Sequence, residues 1–442
     1  MALNIPETAN KRVVIIGAGF AGLNVINNLN QDYLQIVLLD KHNHHTFQPL
    51  LYQVATSGLE ASSIAYPIRK IYGNKPNFHY RMAEVESLKL DENEIITTEG
   101  ELKYDYLVIA TGTKTNFFGM ADLEKNAMSL KSIEEAIDLR HLILQNIEKH
   151  LSSNDELEKE AALNFVLAGG GPTGVEMAGA LCELKHKVLP SDYPEIDFSK
   201  MNVILVEPGT KVLAAMSETS SKYAEKYLRK LGVDLQFGAG VSSYDGIIAT
   251  LSNGAKIPTS TLVWAAGVAG NMPEGLDKAL VVKGNKIDTD IYSRVKGYDN
   301  AFAIGDIAYF PTKKYERGLP SLAPVAIQQG KHCAKNIIRL WNGKVPIAFK
   351  YFDKGSLATV GRLKAVGDLP TGGNLHGVIA WFAWLFVHLL YLIGFRNRVN
   401  VFVEWVWNYF TWDRRVRLIV RPFNKSNKTT IPVPLESNTL PS

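Results

Sequence analysis

Two glycine-rich runs in this 442-residue chain have the spacing to hold phosphate. Gly17, Gly19 and Gly22 form a G-x-G-x-x-G run, with Phe20 and Ala21 inside it. Gly169, Gly170, Gly171, Pro172, Thr173 and Gly174 form the second. In such a run the first glycine permits a tight turn and the second lets backbone approach a pyrophosphate at a helix N-terminus. The third lets helix and strand pack closely. Each run follows an apolar strand and precedes another strand that ends in an acid, Asp40 and Glu207. A carboxylate there accepts hydrogen bonds from a ribose diol and repels a 2′-phosphate. Glu207 has no Arg directly beside it, which favours NADH over NADPH at the second run. Two such units in one chain mean two dinucleotides.

Other residues carry open readings. Glu176 stands where the second helix is predicted to begin, at Val175-Glu176, where its plain reading is a partner of the helix dipole. His42, His44 and His45 precede Pro49, where a helix is entered. No carboxylate or cysteine at ligand spacing joins them, so a cofactor-lining loop is preferred to a metal site. Thr111-Gly112, Gly267 and Gly305-Asp306 each end an apolar strand, where backbone can approach a ligand. Lys354, in Asp353-Lys354-Gly355, reads by itself as a solvated charge.

The elements that position these groups alternate between strand and helix. Residues 132–150 have helical spacing with a capping box at Ser132 and Glu135, residues 152–159 read as a charged connector, and residues 185–200 read as an insertion. Apolar content of 46% and charged content of 21% are ordinary for a globular protein. A net charge of +4 is too small to argue for nucleic acid. The two cysteines, Cys182 and Cys333, are far apart and read as buried thiols rather than a disulfide or zinc framework. Residues 1–10 show no secretory or transit pattern, which favours the cytoplasmic side.

The composition changes at 375. Residues 375–395 are long enough to cross a bilayer. A second candidate helix, 397–412, carries a polar stripe of Asn397, Asn400, Glu404, Asn408 and Thr411 beside a wide aromatic and aliphatic face. Arg396, Arg398, Arg414, Arg415, Arg417 and Arg421 flank this block, where anionic headgroups would attract them. A monotopic anchor is preferred, one spanning helix is second, and a buried dimer interface fits either. Residues 422–442 read as a loose tail.

Across nearly its whole length the chain resembles the flavoprotein reductases with two dinucleotide folds. Within them it resembles the type II NADH dehydrogenases, which are NADH:quinone oxidoreductases. Residues 17–22, 45–56, 110–112, 169–179, 206–209, 264–267, 304–306, 323–330 and the block from 353 carry the likeness. It implies an α/β chain with two Rossmann-type, glutathione-reductase-like domains and a C-terminal membrane-anchoring domain with amphipathic helices. The expected boundaries are 1–115 with 295–345 for FAD, 116–294 for NADH and 346–442 for the anchor.

By the resemblance, Gly17, Gly19, Phe20, Ala21, Gly22, Asp40, Lys41, His45, Val85, Thr111, Gly112, Asp306 and Ala326 serve non-covalent FAD. Gly169, Gly171, Thr173, Gly174, Glu176, Glu207 and Gly267 serve NADH. Glu176, Gln328 and Lys354 would be catalytic, with Gln328, Gln329 and Lys354 toward the quinone. Pro324 replaces a glutamine common in the family, which leaves Gln328 as the matching position.

No cysteine lies between Gly22 and Tyr52, so electrons cannot leave through a cysteine pair there, and sulfide:quinone chemistry is disfavoured. The expected protein is a non-pumping NADH:quinone oxidoreductase on the cytoplasmic face of the cell membrane, and a homodimer. The competing readings are a soluble reductase of a protein electron carrier and a slow NADH-sensing scaffold.

Overall fold

The computed structural model describes residues 1–29, 32–414 and 416–424. The predicted tail beyond 424 and the flanking Arg415 lie outside them. Two parallel sheets organise the chain. In the first, the strands run Ala301–Ala303, Tyr106–Ile109, Lys11–Ile16, Leu34–Asp40 and Phe78–Met82 in spatial order. In the second, the order is Val233–Phe237, Asn202–Glu207, Asn164–Ala168 and Thr261–Trp264. The central strands are buried on both faces (Val13, Val14 and Ile15, like Phe165, Val166 and Leu167, are 0% exposed), as β-branched and aliphatic runs in parallel sheets require.

The two units repeat each other down to single hydrogen bonds. Gly17 N–H donates to the Leu39 carbonyl and Gly169 N–H to the Val206 carbonyl, both at 2.8 Å. Ala110 and Ala265 make the matching bonds to Ile16 and Ala168. The helices Phe20–Asn28 and Pro172–Glu183 then start at the carboxyl ends of their sheets, where open α/β folds bind ligands.

The chain crosses between units through Thr113–Thr115, paired antiparallel with Val268–Gly270. Met272, Leu276, Leu280 and Ile287 already pack on the core of the first sheet, ahead of the expected return near 295. The helix Ala323–Trp341 then lies on Phe20–Asn28. A Cβ at Gly330 would stand 2.4 Å from the Ala21 carbonyl oxygen, so only glycine permits this crossing.

Three local expectations are corrected. The helix predicted to begin at Val175 begins at Pro172, because proline's fixed φ suits the first helical position. The second half of the charged connector belongs to the helix Glu156–Leu163, capped by the Asp155 carboxylate accepting from Leu157 N–H. The histidine loop contains a short strand, His44–Thr46, paired with Ala65–Pro67. The capping box of Ser132 and Glu135 is present as predicted, at the start of Ile133–Ser152.

The C-terminal block is an antiparallel sheet, Ser356–Gly361, Lys364–Asp368 and Asn374–His376, followed by the helices Gly377–Tyr391 and Phe395–Thr411. Its first strand lies directly on the second glycine-loop helix, with Val360 O 2.4 Å from where a Cβ of Gly179 would be. No helix among the described residues is long and apolar enough to cross a membrane, so the single-span alternative is set aside.

The helix pair is inside-out. On Phe395–Thr411 the polar stripe faces the protein. Asn397 donates to the Ala65 carbonyl, Glu404 accepts from Ser63 Oγ, and Asn408 donates to the Gly58 carbonyl. Asn400 and Thr411 remain exposed. Outward point Ile379 (70% exposed), Phe382 (59%), Phe386 (64%), Phe402 (54%) and Phe410 (76%).

Candidate functional site

The first cradle is built by its acid. Asp40 accepts from Ala18 N–H at 2.6 Å and from His42 N–H at 2.8 Å, locking the turn between strand and helix. A Cβ at Gly22 would lie 2.0 Å from the Gly17 carbonyl oxygen, whereas at Gly19 and Gly112 it would meet nothing within 4 Å. The loop is therefore tight where it packs and open where a ligand would lie.

His45 braces the loop from behind. Its Nδ1 is 2.8 Å from the Ala18 carbonyl, which can only accept, so the proton sits on Nδ1. Burial lowers its pKa to about 4, so the ring is neutral and Nε2 is a bare acceptor without a hydrogen-bond partner. Thr111 Oγ1 is likewise buried and unpartnered. Asp306 lies close to Thr113 Oγ1 (3.5 Å), and burial raises its pKa against the opposing charges of Lys131 and Lys286.

These groups fit a dinucleotide with a polar chain. They comprise an open glycine cradle, an acid with lone pairs to spare, and buried polar atoms that lack partners. Lys41 pairs with Glu84 at 3.8 Å, and Val85 opens the strand beside it.

The second cradle copies the first. Glu207 accepts from Gly170 N–H at 2.7 Å and Gly209 N–H at 2.8 Å, and a Cβ at Gly171 would meet nothing within 4 Å. Thr173 is exposed in the first turn, and Gly174 closes against the Gly169 carbonyl. Gly267 faces the Phe118 ring.

Glu176 is not a helix-start residue. It lies one turn inside the helix, 8% exposed, and accepts from Thr359 N–H at 3.3 Å across the tail sheet. It lines a cavity of about 120 Å³ between the second cradle's helix and the tail pair, together with Tyr52, Gln53, Trp384, Trp405 and Arg414. An aromatic path links this cavity to the first cradle. Trp384 stacks on His388 at 4.0 Å, His388 meets Phe47 at 6.0 Å, and Phe47 meets Phe20 at 5.7 Å.

Burial raises the Glu176 pKa to about 8, with the Thr359 amide working the other way. The folded chain thus binds a proton at Glu176 that the unfolded chain, at the ordinary 4.5, has released. Stability from this group is complete below about pH 4.5 and falls as pH rises toward 8. Glu176→Gln is expected to flatten that fall, measured as the urea midpoint between pH 5 and 9.

Residues 11–330 match the pyridine nucleotide-disulphide oxidoreductase family, and residues 354–412 match the NDH2 C-terminal domain. The type II NADH:quinone oxidoreductase Ndh of Mycobacterium tuberculosis (strain ATCC 25618 / H37Rv) is 36% identical over 422 residues. That alignment covers 91% of this chain and 89% of the relative. The chain belongs to the type II NADH:quinone oxidoreductases. Among solved structures, NDH2 from Plasmodium falciparum in complex with NADH has the same fold. Its TM-score is 0.85 at 22% identity, with 93% of this chain and 100% of that chain covered. A sulfide:quinone oxidoreductase from Aquifex aeolicus is a more distant neighbour, with TM-score 0.70 and 20% identity over 93% and 96% of the two chains. In this type II oxidoreductase Cys182 and Cys333 are both buried, free and in separate cores.

The structure separates residues that the sequence grouped toward the quinone. Gln329 is buried, and its Oε1 accepts from Gly305 N–H at 2.8 Å, so it braces the turn carrying Asp306 beside Ala326. Gln328 has both ends of its amide on the Phe352 backbone, at 2.9 and 3.0 Å. Lys354 is exposed and donates to Tyr391 Oη at 3.1 Å, outside the lining of the Glu176 cavity. Arg414, expected among headgroup contacts, is instead buried. It pairs with Glu183 at 2.7 Å and donates to the Thr56 carbonyl at 2.9 Å. Arg417 and Arg421 are paired with Asp192 and Asp138.

Tyr52, Gln53, Trp384 and Arg414 were missed as site residues. Tyr52 and Gln53 lie inside the 45–56 block that resembled the family, which is the one signal that could have raised them. No group of three or more metal-ligating side chains occurs among the described residues.

Proposed function

We propose that this chain oxidises NADH, holds FAD non-covalently, and passes two electrons to a membrane quinone without pumping protons. The observation that carries the reading is the position of the Glu176 cavity. It lies between Glu176, Ala180 and Glu183 on the helix that follows the second cradle and an inside-out helix pair, and so joins the nucleotide unit to a lipid-seeking surface.

FAD supplies the two-electron chemistry when bound. The chain holds it with Gly17, Gly19 and Gly22 at the pyrophosphate, and Asp40 with Lys41 at the adenosine ribose. Val85 serves the adenine, while Thr111, Gly112, Ala326 and Asp306 serve the flavin and its chain. His45, with Phe20 and Ala21, shapes the loop. NADH is held by Gly169, Gly171, Thr173, Gly174 and Gly267, with Glu207 at its ribose. Glu176 carries a proton into the cavity at neutral pH. Gln328 and Gln329 order the return helix and the Phe352 segment toward the quinone side. Lys354 acts on the quinone side through Tyr391, to which it donates.

The outward aromatic and aliphatic face enters one leaflet from the cytoplasmic side, which suits Trp and Phe at a lipid boundary. A homodimer is the expected assembly. The reading is tested in quinone-loaded vesicles containing a pH dye. NADH oxidation with no proton movement into the lumen supports it, and acidification coupled to turnover contradicts it. NADH should be preferred over NADPH in kcat/KM, because a 2′-phosphate would meet Glu207. Faster turnover with NADPH would remove Glu207 from that role.

A further inference from the structure

Tyr52 holds a hydrogen-bond donor that the protein leaves unused, and the chemistry of its neighbours fixes its direction. Trp405, on the second tail helix, has an indole N–H that can only donate, and it lies 2.8 Å from Gln53 Oε1. The Gln53 oxygen must therefore face the indole, which turns its amide NH₂ away. That NH₂ donates to Tyr52 Oη at 2.9 Å. The Tyr52 oxygen is thus an acceptor toward Gln53, and its own proton cannot point there. Among the described residues Tyr52 donates no hydrogen bond, although it is only 6% exposed.

The side chain lines the Glu176 cavity, so the unused O–H belongs to whatever enters it. Burial, with Glu176 nearby, raises the Tyr52 pKa well above its ordinary value, so the phenol stays protonated. A buried donor left unpaired costs free energy that an entering acceptor recovers. The walls, Trp381, Trp384 and Trp405, present flat apolar surface to a planar ring.

We propose that Tyr52 donates its hydrogen bond to a carbonyl oxygen of the quinone, oriented by Gln53 and, through it, by Trp405 of the tail. This rests on the functional reading above and adds the group that recognises the acceptor. It also makes the tail part of the site, because Trp405 sets the Gln53 orientation that frees the Tyr52 proton. Tyr52 is then a substrate-binding residue, whereas Gln53 and Trp405 are positioning residues.

The test uses the full-length flavoprotein in detergent with a short-chain benzoquinone labelled with ¹³C at its carbonyls. Wild type should show a bound carbonyl stretch shifted to lower frequency than in solution, and Tyr52→Phe should lose that shift. Quinone KM should rise about tenfold in Tyr52→Phe, with flavin reduction by NADH and reoxidation by ferricyanide unchanged. Gln53→Leu, which frees the phenol to rotate, should weaken the shift and raise KM by a smaller factor. A shift retained in Tyr52→Phe, or a wild-type KM in that variant, overturns the assignment. Loss of NADH-driven flavin reduction in Tyr52→Phe also overturns it, since the residue would then be structural. If wild type reduces no quinone, the functional reading itself fails.

Discussion

Replacing Ile379, Phe382, Phe386 and Phe402 together by serine should move the protein from the membrane pellet to the supernatant while leaving it folded. These side chains are more than half exposed and make little of the core, so the folded state loses little. Burial of a large apolar side chain contributes about 1.5–3 kcal/mol. Four partly buried in lipid contribute on the order of 4–8 kcal/mol by the same measure. A factor of ten corresponds to about 1.4 kcal/mol, so partitioning should weaken by roughly a thousandfold or more. Sedimentation with lipid vesicles reads the partition, and the flavin spectrum reads the fold. Reduction of a lipid-dissolved quinone should fall with binding, while a water-soluble acceptor is reduced as before. Unchanged sedimentation would mean that the outward face is covered by protein, not lipid.

Arg414→Ala is the largest single-residue effect expected on stability. Arg414 is 7% exposed, and its guanidinium joins three parts of the molecule: Glu183 on the second cradle's helix, the Thr56 carbonyl and the C-terminal strap. Removing one partner of a buried ion pair leaves the other charge uncompensated, at a cost of about 3–5 kcal/mol. Among the described residues Glu183 would keep only its bond from Arg362 N–H, at 2.6 Å. The unfolding midpoint should drop clearly. The double variant Glu183→Gln with Arg414→Met should lose less than the two single changes summed, because the pair acts as a unit. Since Arg414 also lines the cavity, quinone turnover should fall in the single variant beyond what stability explains.

Local pattern was enough to read the nucleotide units. Strand, glycine turn, helix and acid follow one another within a few tens of residues, and the hydrogen bonds that join them, such as Asp40 to Ala18, close short loops. The tail helices were legible for the same reason. Which way the second one faces was not, because an amphipathic stripe looks the same whether its polar side meets water or protein. Only the acceptors at Gly58 and Ala65 and the donor at Ser63, more than three hundred residues away in sequence, decide it.

The headgroup contact expected of Arg414 and the helix-start position expected of Glu176 differ from the structure for a related reason. Each was judged by its immediate neighbours, an arginine-rich tail and a helix start, whereas each is fixed by a partner from another part of the chain. Gln328 and Gln329 lie on the return helix that the sequence predicts, where Gln328 spends its amide on the Phe352 backbone and Gln329 accepts from Gly305 N–H. The helix start at Pro172 was within reach, since proline favours the first helical turn.

The central claim is that one flavin connects the second cradle to the Glu176 cavity, so that NADH electrons reach a quinone. The most direct test mixes the purified, oxidised flavoprotein with one equivalent of NADH without oxygen, then adds a short-chain quinone. The flavin absorbance should bleach with NADH and return in full with one equivalent of quinone, yielding quinol. A flavin that bleaches and then stays reduced in the presence of excess quinone would contradict the account.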